Sequence, residues 1–209
     1  MLDVSDLTVA RGGRTLLSGV SFDVGRGQAL LLTGPNGIGK TSLLRILAGL
    51  APPEAGRVGL AEDFAAYMGH LDGLKPTLSV RENLLFWARL FGVPGEEAED
   101  ALAALEMDSR AEVPVADLSA GQRRRAGLAR LVLLNRPLWL LDEPTVTLDA
   151  ASTALFEAVL ARHLLVGGAA VISTHLPIAG AERLDLSRFV TAPEAEGGDP
   201  FLDGAEGWA

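Results

Sequence analysis

The sequence predicts an α/β fold: a parallel-sheet core with antiparallel strands at its N-terminus and a helical segment inserted midway. Three observations carry this expectation. A compact apolar run, Ala29–Thr33 (ALLLT), passes through a glycine-rich loop into a helix. Two later runs, residues 138–141 and 169–173, are as continuously apolar, the pattern of strands covered on both faces. Between the first run and these two, residues 76–118 lose the strand pattern and read as helices.

Each element follows from its residues. Leu2, Val4, Leu7 and Val9 alternate, and Leu17, Val20, Phe22 and Val24 do so after a Gly12-Gly13 turn, which predicts two short antiparallel strands. Residues 42–50 form a helix stopped by Gly49 and Pro52-Pro53. Ser79-Val80-Arg81-Glu82 is a capping box, in which hydroxyl and carboxylate each satisfy a free backbone donor, and it opens a helix through Leu90. An amphipathic helix is expected over residues 96–107, and further helices over residues 122–134 and Ala150–Leu165. The domain expectation is one unit, with residues 1–75 and 119–193 as core and 76–118 as helical subdomain. Residues 194–209 carry five acids, four glycines and no base, and read as a flexible acidic tail.

Composition limits the function. The 209 residues are 48% hydrophobic and 22% charged, enough apolar material for one buried core. The net charge of −9 argues against holding nucleic acid by bulk electrostatics, so no nucleic-acid partner is expected. Zero cysteines exclude disulfides, thiolate metal sites and a cysteine nucleophile. No apolar stretch reaches the roughly 20 residues of a membrane span. Asp3 and Asp6 stand where a secretory leader would be basic and then apolar, so a cytoplasmic location is expected. Only Lys40 and Lys75 are lysines among 18 basic residues, which marks Lys40 as a site needing a compact ammonium.

Lys40 lies in Gly34-Pro35-Asn36-Gly37-Ile38-Gly39-Lys40-Thr41, the pattern GxxxxGK[ST] of a phosphate-binding loop, with Ser42 following it in the site. Backbone N–H groups converge on phosphate oxygens, Lys40 is placed to neutralise them, and Thr41 to ligate Mg²⁺. The run LWLLDE delivers Asp142 to the same metal shell and Glu143 to a position from which it can polarise water.

Leu118-Ser119-Ala120-Gly121-Gln122 opens a helix 23 residues before Asp142, measured from Ser119. It closely resembles the LSGGQ signature of ATP-binding-cassette ATPases, with Ala120 at the first glycine. The resemblance covers nearly the whole chain: Leu148-Asp149 is similar to the D-loop, His175 to the switch histidine, and residues 76–118 to the helical subdomain. It implies a phosphate-loop NTPase (RecA-like) core that binds ATP and Mg²⁺. It further implies a homodimer in the ATP-bound state, in which Ser119, Gly121 and Gln122 of one copy meet the nucleotide held by Lys40 of the other. A soluble cassette acting on nucleic acid or ribosomes, and another phosphate-loop protein such as a small GTPase, are the competing readings. The single cassette, the short helical insert and the absence of NKxD count against them.

Two positions depart from the common cassette pattern. His70, in Tyr67-Met68-Gly69-His70, stands where most members carry a catalytic Gln, and Arg11 stands where many stack an aromatic residue on adenine. Weak base selectivity is therefore expected. With the GH pair, the stretch from Tyr67 to Leu84 and LSAGQRRR resemble the ATP-binding subunits of cytochrome c maturation, also called haem exporter ATPases. That resemblance implies a peripheral subunit on the cytoplasmic face of the bacterial inner membrane, docked on integral membrane subunits. An ATPase subunit of another transporter is the alternative. Arg123-Arg124-Arg125 and His163 read as helix surface, and Phe86, Trp87 and Phe91 as packing.

Overall fold

The computed structural model describes residues 1–61 and 64–191; the acidic tail expected over 194–209 lies outside them. Among the described residues eight strands and five α-helices are formed: β1 (Leu2–Arg11), β2 (Arg14–Val24), β3 (Ala29–Thr33), α1 (Lys40–Leu47), β4 (Ala55–Gly59), β5 (Ala65–Met68), α2 (Val80–Phe91), α3 (Glu97–Ala104), α4 (Ala120–Leu134), β6 (Leu138–Asp142), α5 (Ala150–Leu165), β7 (Ala169–Ser173) and β8 (Glu182–Asp185). They build an antiparallel sheet, ordered β2-β1-β4, and a parallel sheet, ordered β5-β6-β7-β3-β8.

Period-2 alternation divides the core. Leu30 and Leu32 of β3, Leu138 and Leu140 of β6, and Ala169 and Val171 of β7 face the antiparallel sheet and the buried side of α1. Their neighbours Leu31, Trp139, Leu141, Ala170 and Ile172 face the opposite way, into a core shared with α2, α3, α4 and α5. The parallel sheet is therefore covered on both faces, as its continuous apolar strands require.

The helix at 79–90 starts where expected. Ser79 Oγ accepts from Glu82 N and Glu82 Oε2 from Ser79 N, a cap worth about 1 kcal/mol. The helix expected over 96–107 ends earlier, at Ala104, because Glu106 takes φ 52° and both Leu105 N and Met107 N donate back to Leu102 O. Leu105 and Met107 remain buried beyond the helix end, which extends the apolar periodicity without extending the helix.

Candidate functional site

Four parallel strands deliver chemistry to one place. β3 runs into Gly34, β5 into Gly69-His70, β6 into Glu143 and β7 into Thr174-His175, at the carboxyl edge where open α/β sheets collect ligands. A cleft of about 750 Å³ opens there, lined by Arg11, Asn36, Gly37, Gly39, Lys40, Thr41, Ser42, His70, Asp142, Glu143 and His175. Most of the expected site residues thus share one cavity.

The loop's shape depends on its glycines, all three of them at positive φ. Gly34 at φ 134° and Gly39 at φ 121° adopt backbone conformations that L side chains rarely enter, and a Cβ on Gly34 would stand 3.0 Å from Ile38 Cδ1. Ile38 itself is buried between the sheets and anchors the loop rather than lining the cleft. Pro35 contributes its carbonyl: Lys40 Nζ donates to Gly34 O at 2.7 Å and to Pro35 O at 3.2 Å, which centres the ammonium on the loop. Helix α1 begins without a side-chain cap, so its first-turn N–H groups and positive dipole end suit an anion.

Across the cleft, Asp142 is 1% exposed and its Oδ2 has no hydrogen-bond partner in the chain; His70 Nε2 faces it at 3.8 Å. Glu143 Oε1 lies 3.6 Å from His175 Nε2, also beyond hydrogen-bond distance, so both carboxylates retain free lone pairs toward the cavity. Burial, and then the charge of Asp142, push the Tyr67 hydroxyl above its ordinary pKa, keeping it a neutral phenol beside the site. An orphaned buried carboxylate oxygen with the Thr41 hydroxyl on the same cavity fits a hard cation. No group of three or more His, Cys, Asp or Glu among the described residues could cage a metal. The donor set suits Mg²⁺, which keeps water and phosphate oxygens beside one or two protein ligands.

Ser119, Gly121 and Gln122 are not among the residues lining this cleft. Ser119 caps α4: its Oγ accepts from Gln122 N at 3.2 Å, and Gln122 Oε1 accepts from Ser119 N at 3.0 Å, so the Gln122 amide already serves the helix end. Asp149 likewise caps α5, accepting from Ser152 N at 2.8 Å, a bond that holds its carboxyl below the ordinary value.

Two sequence expectations are corrected. Arg124, read as helix surface, is buried, and its guanidinium is enclosed by carbonyls. His163, also read as surface, is 7% exposed; its ring stacks on Trp139 at 4.0 Å and 7°, with Nε2 3.1 Å from Ala169 O. Burial pulls its pKa below 6.5, leaving a neutral ring in the core. Neither arrangement has a local sequence signal, because the partners lie on other elements. Trp87 packs between Phe86 and Phe91, as expected of the helical insert.

Loop, sheet order and inserted helices together define the class, an ATP-binding cassette. The family model described as ABC transporter matches residues 17–146. The cytochrome c biogenesis ATP-binding export protein CcmA of Rhodobacter capsulatus is 52% identical over 212 residues, covering 98% of both chains. The protein of that name from Paracoccus denitrificans is 55% identical over 191 residues, covering 90% of each. The chain belongs to the ABC transporter family and, within it, to the cytochrome c biogenesis ATP-binding export proteins. Its fold matches a putative ABC transporter ATP-binding protein from Pyrococcus furiosus with TM-score 0.81 at 24% identity, over 91% of this chain and 99% of that one. A dimeric ATP-binding cassette bound to ADP and Pi matches with TM-score 0.78 at 23% identity, over 89% and 94%.

Proposed function

We propose that this chain is the ATP-hydrolysing subunit of an export system serving c-type cytochrome biogenesis. It closes as an ATP-bound homodimer beneath integral membrane subunits, on the cytoplasmic face of the inner membrane. The observation that carries the paired arrangement is the separation within one chain: the Lys40 cleft holds the phosphate loop, both acids and both histidines, while the signature helix start at Ser119 lies outside it. A second copy, turned head to tail, brings that helix start over the open cleft, and two-fold symmetry completes both sites at once.

The chemistry follows from the placement of the side chains. Lys40 and the N–H groups of the loop and of α1 hold the β- and γ-phosphates. Thr41 and Asp142 would hold Mg²⁺, which neutralises phosphate charge when bound. Glu143 accepts a proton from the water that attacks the γ-phosphorus. The bond from that phosphorus to the β–γ bridging oxygen breaks, giving ADP and phosphate. His175 and His70 flank this axis and orient the water and the terminal phosphate. Ser119 Oγ and the N–H groups at Gly121, from the second copy, bind the γ-phosphate, so hydrolysis removes the link between the copies. Arg11 also lines the cleft, where its guanidinium plane would lie over the base. Among the described residues no helix is long and apolar enough to cross a membrane, in keeping with docking on separate membrane subunits.

The test is isolation of the tagged chain from cells that make c-type cytochromes. The reading expects integral membrane polypeptides to accompany it and ATP turnover to change when they are removed. Recovery without any membrane polypeptide, with cytochrome c assembly unaffected by Glu143→Gln, would overturn it.

A further inference from the structure

We propose that Arg124 is a positioning residue for hydrolysis, one guanidinium that fixes the base-bearing turn and the His70 segment to the signature helix. All five N–H donors of the side chain are used. Nε donates to Pro144 O at 3.1 Å, and Nη2 to Asp142 O at 2.9 Å and Glu143 O at 2.7 Å. Nη1 donates to Gly69 O at 2.8 Å and to Asp72 Oδ1 at 2.7 Å. Three segments distant in sequence are joined through one rigid plane, which a lysine cannot reproduce.

The turn it holds is a strained one. Glu143 has φ 50°, a left-handed conformation that is unfavourable for a non-glycine residue and persists only where the surroundings over-determine it. Its carbonyl accepts from Arg124 at 2.7 Å and, within the turn, from Val146 N at 3.3 Å, while its N–H donates to Ser173 O at 2.7 Å. The same guanidinium grips Gly69 and Asp72 on either side of His70, so the carboxylate of Glu143 and the ring of His70 are referred to one anchor. The helix is built for this approach. Gly127, nearly one turn on from Arg124, packs so closely on Asp72 that a Cβ there would stand 2.8 Å from Asp72 Cβ. Because α4 begins at Ser119, its N-cap, any tilt of the signature helix moves the anchor, and with it the turn and the His70 segment.

This inference rests on Glu143 being the proton acceptor, and the test separates the two. Arg124→Lys, Asp72→Asn, Arg130→Lys and Glu143→Gln are compared for kcat, for KM and for ATP binding, with Tm as the measure of folding. Arg130 lies on the same helix and is equally buried, but among the described residues it donates only to Tyr67 O, at 2.8 Å. Arg124→Lys is expected to lower kcat about 10- to 100-fold with KM and ATP affinity nearly unchanged, the signature of reacting groups displaced by about an ångström. Arg130→Lys is expected to lose Tm to a similar extent while keeping its kcat. If Arg124→Lys does not fold, Asp72→Asn carries the test, with kcat down about threefold or more at unchanged ATP affinity. Wild-type kcat in Arg124→Lys (or in Asp72→Asn where that variant stands in), or parallel losses in the Arg124 and Arg130 variants, overturns the positioning role alone. Full turnover in Glu143→Gln overturns both readings.

Discussion

Replacing Ser119 by aspartate separates the capping of α4, which the structure shows, from the proposed duty of receiving the phosphate of a second chain. The hydroxyl accepts from Gln122 N at 3.2 Å, so Ser119→Ala removes a cap worth about 1 kcal/mol. In a chain of this size that lowers Tm by about 2–4 °C. Aspartate caps as well as serine, so Ser119→Asp is expected to melt close to wild type. It also places a carboxylate against the γ-phosphate in the closed dimer. At about 4 Å and an effective dielectric near 20, two like unit charges repel by about 4 kcal/mol, nearly a thousandfold in the closing equilibrium. The assay is steady-state ATP hydrolysis beside a thermal melt. The expected result for Ser119→Asp is a native Tm with ATP turnover reduced to near background. Wild-type turnover in Ser119→Asp, with only the few-degree loss in Ser119→Ala, would show that the hydroxyl is a helix cap and nothing more.

Two further outcomes follow from the geometry. Lys40→Ala removes the ammonium centred on the phosphate loop and should weaken ATP binding about 10- to 100-fold, the loss of a charge-assisted contact of about 1.5–3 kcal/mol, measured by calorimetric titration. His163 has a folded pKa lowered by burial, so the unfolded chain binds its proton first as pH falls. Its stability contribution is complete above the ordinary value of 6.5 and is lost as pH drops through the lowered folded value. Melts from about pH 7 to about pH 5 should therefore decline in wild type and flatten in His163→Phe, which keeps an aromatic ring on Trp139; equal slopes would refute the assignment.

Much of the framework was legible because burial leaves a plain mark. Strands β3 and β7 and helix α5 coincide with the expected spans to the residue, since strands covered on both faces are continuously apolar and α5 is set between Asp149 and a Gly167-Gly168 stop. Strands β4 and β8 escaped detection: Ala55–Gly59 and Glu182–Asp185 are sheet edges with mostly exposed side chains, and an edge strand needs no apolar pattern. The short strand β5 passed unnoticed because four residues carry too little periodicity. At the site, the phosphate loop and both acids were read from local motifs and both histidines from the family resemblance, and the structure places both acids, both histidines and residues of the loop on one cleft. Arg124 and His163 were misread because charge and polarity suggest solvent, whereas here backbone carbonyls from β6, its following turn and β7 supply the compensation. Such compensation is tertiary, and no spacing in the sequence encodes it.

In the proposed cycle ATP joins two copies and hydrolysis parts them. The most direct measurement is the solution mass of Glu143→Gln by light scattering, with Mg²⁺-ATP and then with Mg²⁺-ADP. The expected mass is twice the 21.9 kDa of one chain with ATP and that of a single chain with ADP. A protein that binds ATP tightly and stays at 21.9 kDa would contradict it.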